Sequence, residues 1–455
     1  MGYILSIDVG TTAFKAGVFT NQLELLKETT RLYIPSVYDQ GKADINPEIW
    51  WQALLSTTKE LSPYISDVGI VSLSVTTPGL VPMDAEGQAL GPAILFFDRR
   101  SNREAKSIRK AIGEDIFIKE TCNLPVSGGS SLCSMLWIRE NQSDIWKVTY
   151  KFGHTNTYLI KRLTGNWAID PSTTSITGLY HTRENKLAWL DTVLEKSGIP
   201  PEKLPTLMNS DDSAGVVLPH VADQLGLSRN TIVLCGGNDA VLAALSVGLK
   251  DPGQIINIAG TCEIIAACTD KPIGAKDYNI RCHVLSDRWV TFFVLNTGGK
   301  ALEWFHSVFC RDMTEEQYYR RFIPQAIEQF VEHGQSAEGG LPEYKPYLQG
   351  SRYSLDNLTA GFDNITLETT REKMLIGLLR GNFQYLGDHL KHISKILPKQ
   401  NKIITTGGAA KIRGMDRLRR RWMGNYVFEF HNQSSLLGAA MLGKMYLEKK
   451  GESDP

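Results

Sequence analysis

TIVLCGGNDAVLAALSVGL, from Thr231 to Leu249, is the stretch on which the reading of this chain turns. The apolar run Ile232, Val233, Leu234 and Cys235 predicts a buried strand, Gly236 and Gly237 turn the chain, and Ala240 to Leu249 predicts a helix. Asp239 therefore falls on a tight turn at the carboxyl end of a strand, where open α/β sheets place ligand chemistry. The alternative reading is local: Asp and Asn are preferred N-caps, so Asn238 or Asp239 would simply satisfy the first amides of the helix.

Working outward, 455 residues exceed one ordinary core and imply two or three domains. With 42% hydrophobic and 22% charged residues, the composition is that of a soluble globular protein. The 49 basic and 49 acidic residues cancel, so no overall field gathers nucleic acid or an acidic membrane, and a small molecule is the expected partner. Seven cysteines without CxxC or metal-ligand spacing argue against a secreted disulfide framework and point to a reducing cytoplasm. No apolar run reaches the roughly 20 residues that span a bilayer, and the N-terminus lacks a basic n-region and small-residue cleavage site. Met1-Gly2 matches the loose myristoylation pattern, but Tyr3 to Ile7 reads as a strand that must be buried.

Tyr3 to Ile7 and Phe14 to Phe19 predict two strands around the polar turn Asp8-Val9-Gly10-Thr11-Thr12. Glycine lets backbone N–H groups approach an anion, threonines add donors, and an aspartate can hold Mg²⁺ against phosphate oxygens. A plain hairpin with a polar turn is the other reading. A second strand, Gly-Thr turn and strand follows at Gly253 to Ala259, Gly260-Thr261 and Glu263 to Cys268, which suggests an internal duplication into two related domains. Strands at Val68 to Val75 and Pro92 to Phe97 deliver Thr76 and Thr77 from one, Asp98 and Arg100 from the other. Such a set suits a polyhydroxylated ligand; the alternative is a surface salt bridge between Asp98 and an arginine.

Later, Trp289 to Leu295 leads into Asn296-Thr297-Gly298-Gly299 and a helix with Trp304. Thr314 to His333 predicts an amphipathic helix, Ser336 to Ser351 a loop, and Thr370 to Leu397 a long helix interrupted at Gly381. Lys402 to Thr405 ends on Gly407-Gly408-Ala409-Ala410-Lys411, a strand-glycine-helix turn suited to a nucleotide. The basic helix Met415 to Met423 reads as a solvated face, Leu436 to Tyr446 as a small-residue helix, and Glu448 to Pro455 as a frayed tail.

Taken in order, Asp-x-Gly-Thr-Thr, Gly-Gly-Asn-Asp-Ala, Gly-Thr and Gly-Gly-Ala-Ala-Lys resemble the FGGY family of carbohydrate kinases over essentially the whole chain. So do PYLQGSR (Pro346 to Arg352), AGF (Ala360 to Phe362) and LGAAMLG (Leu437 to Gly443). The resemblance implies an α/β, two-domain actin-like ATPase (ribonuclease H-like) fold, with ATP and sugar in an interdomain cleft. It divides the chain into residues 1–247, the sugar and phosphate side, and 248–455, the ATP side. Asp239 matches the general base, and Asp8 the phosphate-motif aspartate acting through Mg²⁺, so that Asp8 and Asp239 are the expected metal-side carboxylates. Thr11 and Thr12 match positions near the γ-phosphate, Gly260 and Thr261 the second phosphate turn with Gly299 beside it, and Gly407, Gly408 and Ala409 the adenosine turn. Thr76, Thr77, Asp98, Arg100, Asn238 and Asp239 are the expected acceptor contacts.

The implied reaction moves the γ-phosphate of ATP to a hydroxyl of a small neutral sugar, a ketopentose or deoxyketohexose, with gluconate or a polyol as the alternative. A catalytically idle sugar-binding regulator and a shape-changing ATPase are the readings from other classes. The resemblance allows a homodimer, though no interface is legible. Thr76 stands where many xylulose kinases carry Gln, Phe96 where they carry Trp, and Thr77-Pro78 cannot replace the Arg-Glu pair of glycerol kinases. Val75 to Gly79 is similar to fuculose kinases over a short span, and Arg380-Gly381 replaces the usual Glu-Gly. The sugar is therefore not selected.

Overall fold

The computed structural model describes residues 2–38, 41–332, 338–351, 353, 354, 356 and 358–451. Met1, His333, Ser336, Arg352 and the last four residues, which the expectations above touch, lie outside them. The chain divides into two compact units: Met1–Gly248, Lys271–Trp289 and Ser434–Pro455 form unit 1, and Leu249–Asp270 with Val290–Gln433 form unit 2. One break lies beside Gly248, and two later segments, Lys271–Trp289 and Ser434–Pro455, group with the first unit rather than with the second half of the chain.

In unit 1, β1 (Tyr3–Val9), β2 (Ala13–Phe19) and β3 (Leu25–Leu32) form an antiparallel meander, and β4 (Val68–Val75) runs parallel to β1. Beyond β4 come β6 (Ile232–Leu234), parallel to it, and β5 (Ser213–Val216), antiparallel at the edge. The strands β1 and β4 are buried along nearly their whole length, as parallel central strands covered on both faces must be. Helix α1 (Glu48–Glu60) supplies Trp50 and Leu54 to the core with Leu5, Ile7, Phe14 and Leu73. Behind β6 the chain enters α2 (Asp239–Ser246).

Unit 2 repeats the plan. The hairpin β7 (Ile255–Ala259) and β8 (Glu263–Thr269) is flanked by β9 (Trp289–Leu295) on one side. On the other side β10 (Lys402–Thr406) lies parallel to β7, and β11 (Val427–Phe430) parallel to β10. The order β9-β8-β7-β10-β11 mirrors β3-β2-β1-β4-β6, so the duplication suggested by two Gly-Thr turns extends to whole sheets. Helices α3 (Gly299–Phe309), α4 (Arg371–Ile393) and α5 (Met415–Met423) pack in this unit.

The last helix, α6 (Ser435–Gly451), belongs to unit 1. Ser6 Oγ on β1 donates to Leu436 O at 2.6 Å. A Cβ on Gly438 would stand 2.0 Å from Leu242 O of α2, and one on Gly443 2.8 Å from Ile4 Cγ2. Small residues are thus what lets α6 lie against both β1 and α2.

Four expectations are corrected. Helix α4 is continuous through Gly381, whose missing side chain admits Tyr344: a Cβ there would be 2.4 Å from Tyr344 O. Tyr344 itself sits on a short strand inside the segment read as a loop, Glu343–Lys345, which pairs with Gly361–Asp363 beyond it. Arg419 on the basic helix α5 is buried, not solvated, and its Nη2 lies 3.3 Å from Glu263 Oε1. The tail is helical as far as Gly451, beyond the expected fraying at Glu448.

Candidate active site

Gly236 adopts φ +77°, and a Cβ there would come within 2.3 Å of Leu73 O, so only glycine lets the chain leave β6 so close to β4. Gly237 and Asn238 then pair with Ser74 and Val75 of β4. Both readings of the central turn are realised by neighbouring residues. Asn238 caps α2, its Oδ1 accepting from Val241 N–H at 3.2 Å. Asp239 becomes the first helical residue, its Oδ1 accepting from Ala240 N–H at 2.7 Å and from Asn238 Nδ2 at 2.9 Å.

Asp239 keeps part of its surface, yet dense protein around the carboxyl pushes it up to about 7. The charge of Asp8 acts in the same direction, while Arg281, Ala240 N–H and the Thr76 side chain pull it back. Asp8 lies within β1 rather than on the turn after it, paired in register with Ser74, whose Oγ donates to Asp8 Oδ1 at 2.7 Å. Burial raises the Asp8 carboxyl too, opposed by the hydroxyls of Ser435 and Ser74 and by Lys15. The two carboxylates therefore sense each other, and a cation between them would relieve both. Among the described residues no cluster of three His, Cys, Asp or Glu side chains forms a metal cage. A carboxylate pair is the donor set that Mg²⁺ accepts when water and phosphate oxygens complete its shell.

Thr76 and Thr77 join this cluster. Thr77 Oγ1 accepts from Asn238 Nδ2 and from Arg281 Nη1, each at 3.0 Å. Arg281 escaped the sequence reading because it arrives from Lys271–Trp289, a segment whose place in unit 1 no local pattern discloses. The Gly10–Thr12 turn is braced by Tyr33, whose N–H donates to Thr12 O at 3.0 Å and whose hydroxyl donates to Gly10 O at 2.6 Å. Tyr33 was also missed. Thr11 is partly exposed and Thr12 exposed on that turn.

Among the described residues, no hydrogen bond ties Asp98 or Arg100 to this cluster. Asp98 is buried, with Oδ2 accepting from Ala43 N–H at 2.6 Å and Arg100 Nε at 2.8 Å, and Oδ1 from Arg100 N–H at 2.8 Å. Arg100 Nη2 reaches Asp44 Oδ2 at 2.8 Å, and the guanidinium lies over Trp137. This is an interior brace, not the surface salt bridge of the alternative reading.

In unit 2, Gly260, Thr261, Gly299, Gly408 and Ala409 line one cavity of about 680 Å³. Gly299 N–H donates to Gly260 O at 2.8 Å and Lys300 N–H to Thr261 O at 3.1 Å, which ties the start of α3 to the hairpin turn. Gly407 has φ +95°, and a Cβ there would fall 2.4 Å from Ala259 O, so the turn after β10 nestles against the end of β7. Arg320, Lys411 and Arg413 also line the cavity. Its size suits a nucleotide, and its cations and glycine turns suit an anion.

Residues 3–246 match the model of the FGGY family of carbohydrate kinases, N-terminal domain. The chain is 25% identical to a xylulose kinase of Staphylococcus xylosus over 417 residues, 90% of this chain and 84% of that one. It is 27% identical to a gluconokinase of Bacillus subtilis (strain 168) over 454 residues, 97% and 87% of the two chains. The structure of a ligand-bound xylulose kinase from Lactobacillus acidophilus superposes with a TM-score of 0.88 at 20% identity, covering 99% of this chain and 90% of that one. The fold is the actin-like ATPase fold of the sugar kinases, built from two α/β units with the same strand order. Family match, full-length relatives and fold agree: this chain belongs to the FGGY family of carbohydrate kinases, phosphotransferases that act on sugars.

Proposed function

We propose that the chain transfers the γ-phosphate of ATP to a hydroxyl of a small polyhydroxylated acceptor, with Asp239 as the general base. The observation that carries this reading is a carboxyl held near 7 beside a second carboxylate, at the start of a helix and among hydroxyl and amide groups. A base with such a value takes a proton at neutral pH and releases it again easily. Phosphoryl transfer asks the protein mainly for positioning and for neutralised charge. Thr76, Thr77 and Asn238 position the acceptor hydroxyl against Asp239. The glycine turns at Gly260, Gly299 and Gly408 hold the nucleotide, with Thr11 and Thr12 reserved for the γ-phosphate. Asp8 and Asp239 would hold Mg²⁺, which supplies charge neutralisation at the phosphate oxygens when bound.

A ketopentose or deoxyketohexose is the acceptor expected from the sequence, and gluconate or a polyol the second reading; Arg281 bears on that choice. A cytoplasmic setting is part of this proposal, and among the described residues no helix is long and apolar enough to cross a membrane. The test is ADP release from Mg·ATP across ketoses, aldonates and polyols. Acceptor-dependent release that falls by about 10²–10⁴ in Asp239→Ala supports the reading. Release indifferent to acceptor would favour the ATPase instead, and near-normal turnover in the variant would remove Asp239 from the mechanism.

A further inference from the structure

Arg281 sits on a short strand, Asn279–Cys282, that is bolted in place on either side of it. Ile280 N–H donates to Asn123 Oδ1 at 2.9 Å and Ile280 O accepts from Asn123 Nδ2 at 2.8 Å. Cys282 N–H donates to Ser175 Oγ at 2.8 Å. The backbone that carries the guanidinium is thus fixed at both neighbours, within unit 1. Outward from there, Nη1 donates to Thr77 Oγ1 and Ser172 O at 3.0 Å each, and Nη2 to Thr77 O at 3.3 Å. Ser172 is itself tied to the central turn, its Oγ accepting from Asn238 N–H at 2.9 Å. One continuous hydrogen-bonded chain therefore runs from Arg281 through Thr77 and Asn238 to Asp239.

Resting on the kinase reading above, we infer that Arg281 is the residue that selects the acceptor, and that the acceptor it selects carries a carboxylate: an aldonate rather than a neutral ketose. Neutral hydroxyl and amide groups already stand at this point in Thr76, Thr77 and Asn238, and they suffice for the hydroxyls of any sugar. A guanidinium is costly to bring out of water, and its planar fork matches a carboxylate by two parallel bonds as it matches no single hydroxyl. Its oxygen partners Thr77 and Ser172 hold it in one orientation, so little side-chain entropy is lost when an anion docks. An aldonate anchored by its C1 carboxylate at Arg281 presents a hydroxyl further along its chain to Asp239, with Thr77 and Asn238 spanning the interval. The strand position also explains why the first half of the sequence leaves the acceptor undefined: the deciding charge is encoded after the second hairpin.

The test compares kcat/KM for gluconate, xylonate, xylulose, ribulose and xylitol in the wild type, R281Q and R281K, with gluconate binding followed by calorimetry and folding by thermal melting. An aldonate is expected to exceed the ketoses by at least tenfold in the wild type. R281Q is expected to lower the aldonate value by about 10- to 150-fold, the worth of a charged hydrogen bond, mainly through KM. It leaves the KM for ATP unchanged and lowers the ketose values far less than the aldonate value, that shared loss following from the charge Arg281 sets beside Asp239, and R281K recovers part of the aldonate preference. A wild type that prefers a ketose, neither binds nor phosphorylates any aldonate, or loses all acceptors equally on R281Q would overturn the inference while leaving the kinase reading intact. A raised KM for ATP in R281Q would overturn it too, by placing Arg281 on the phosphate. Arg281-dependent gluconate binding without ADP release would instead keep the acceptor class and sink the kinase reading.

Discussion

Replacing Asp239 with Asn is expected to stabilise the protein at neutral pH, and to do so by an amount that grows with pH. The Asp239 carboxyl, ordinarily at 3.8, is held up to about 7 in the fold, first by burial and then by Asp8. Below pH 3.8 it is protonated in both folded and unfolded chains and its ionisation costs nothing. As pH rises the unfolded chain ionises first, so the folded state loses relative stability until Asp239 itself ionises near 7. Linkage then gives a handicap of about 2 kcal/mol at pH 5 and about 4 kcal/mol at pH 8. Asn keeps an Oδ1 to accept from Ala240 N–H and Asn238 Nδ2, so the turn survives while the handicap goes. The variant's advantage should widen by roughly 2 kcal/mol between the two pH values. For a unit of this size that is about 3–4 °C in melting temperature. Calorimetric melts of both proteins at pH 5 and pH 8, in EDTA and without nucleotide, read it directly. An offset equal at both pH values, or a variant that melts lower at pH 8, would refute the argument that Asp239 is a strained base.

Two more predictions concern packing. Gly438→Ala puts a Cβ 2.0 Å from Leu242 O, which forces α6 off α2 and should cost about 1–3 kcal/mol; a melt within a degree of wild type would show that the two helices separate freely. Arg419→Met strands Glu263 in the interior of unit 2 and should cost about 3–5 kcal/mol, whereas the double variant Glu263→Leu with Arg419→Met should recover most of that; an unrecovered double variant would mean the pair's worth is not mutual.

How much of this was legible depended on whether a feature is local. The hairpin around Gly10–Thr12, its echo at Gly260–Thr261 and the strand-turn-helix at Asp239 follow from apolar runs broken by glycine, so the sequence shows them directly. Asp8 was displaced from turn to strand because a carboxylate looks like turn chemistry until Ser74 on the next strand is seen to satisfy it. Gly381 was misread as a helix breaker because the carbonyl of Tyr344 that needs its space lies far away in sequence. Arg419 looked solvated for the same reason: its partner Glu263 is on another element. Arg281, Tyr33 and Ser435 reach the site only through tertiary placement, which no period or motif announces.

The return of α6 to the first unit also fixes an order of manufacture. The strands of the first sheet are all made before Leu249, yet the helix that covers β1 is made only after the whole of the second unit, Leu249 to Gln433, has been passed. At the roughly 5–20 residues per second of synthesis, that wait is on the order of ten seconds or more. During it, the surface formed by Ile4 and Leu242 is open to chaperones and to neighbouring nascent chains. A chain that stops anywhere before Ser435 would therefore carry a first unit whose β1 and α2 lack the helix that packs on them.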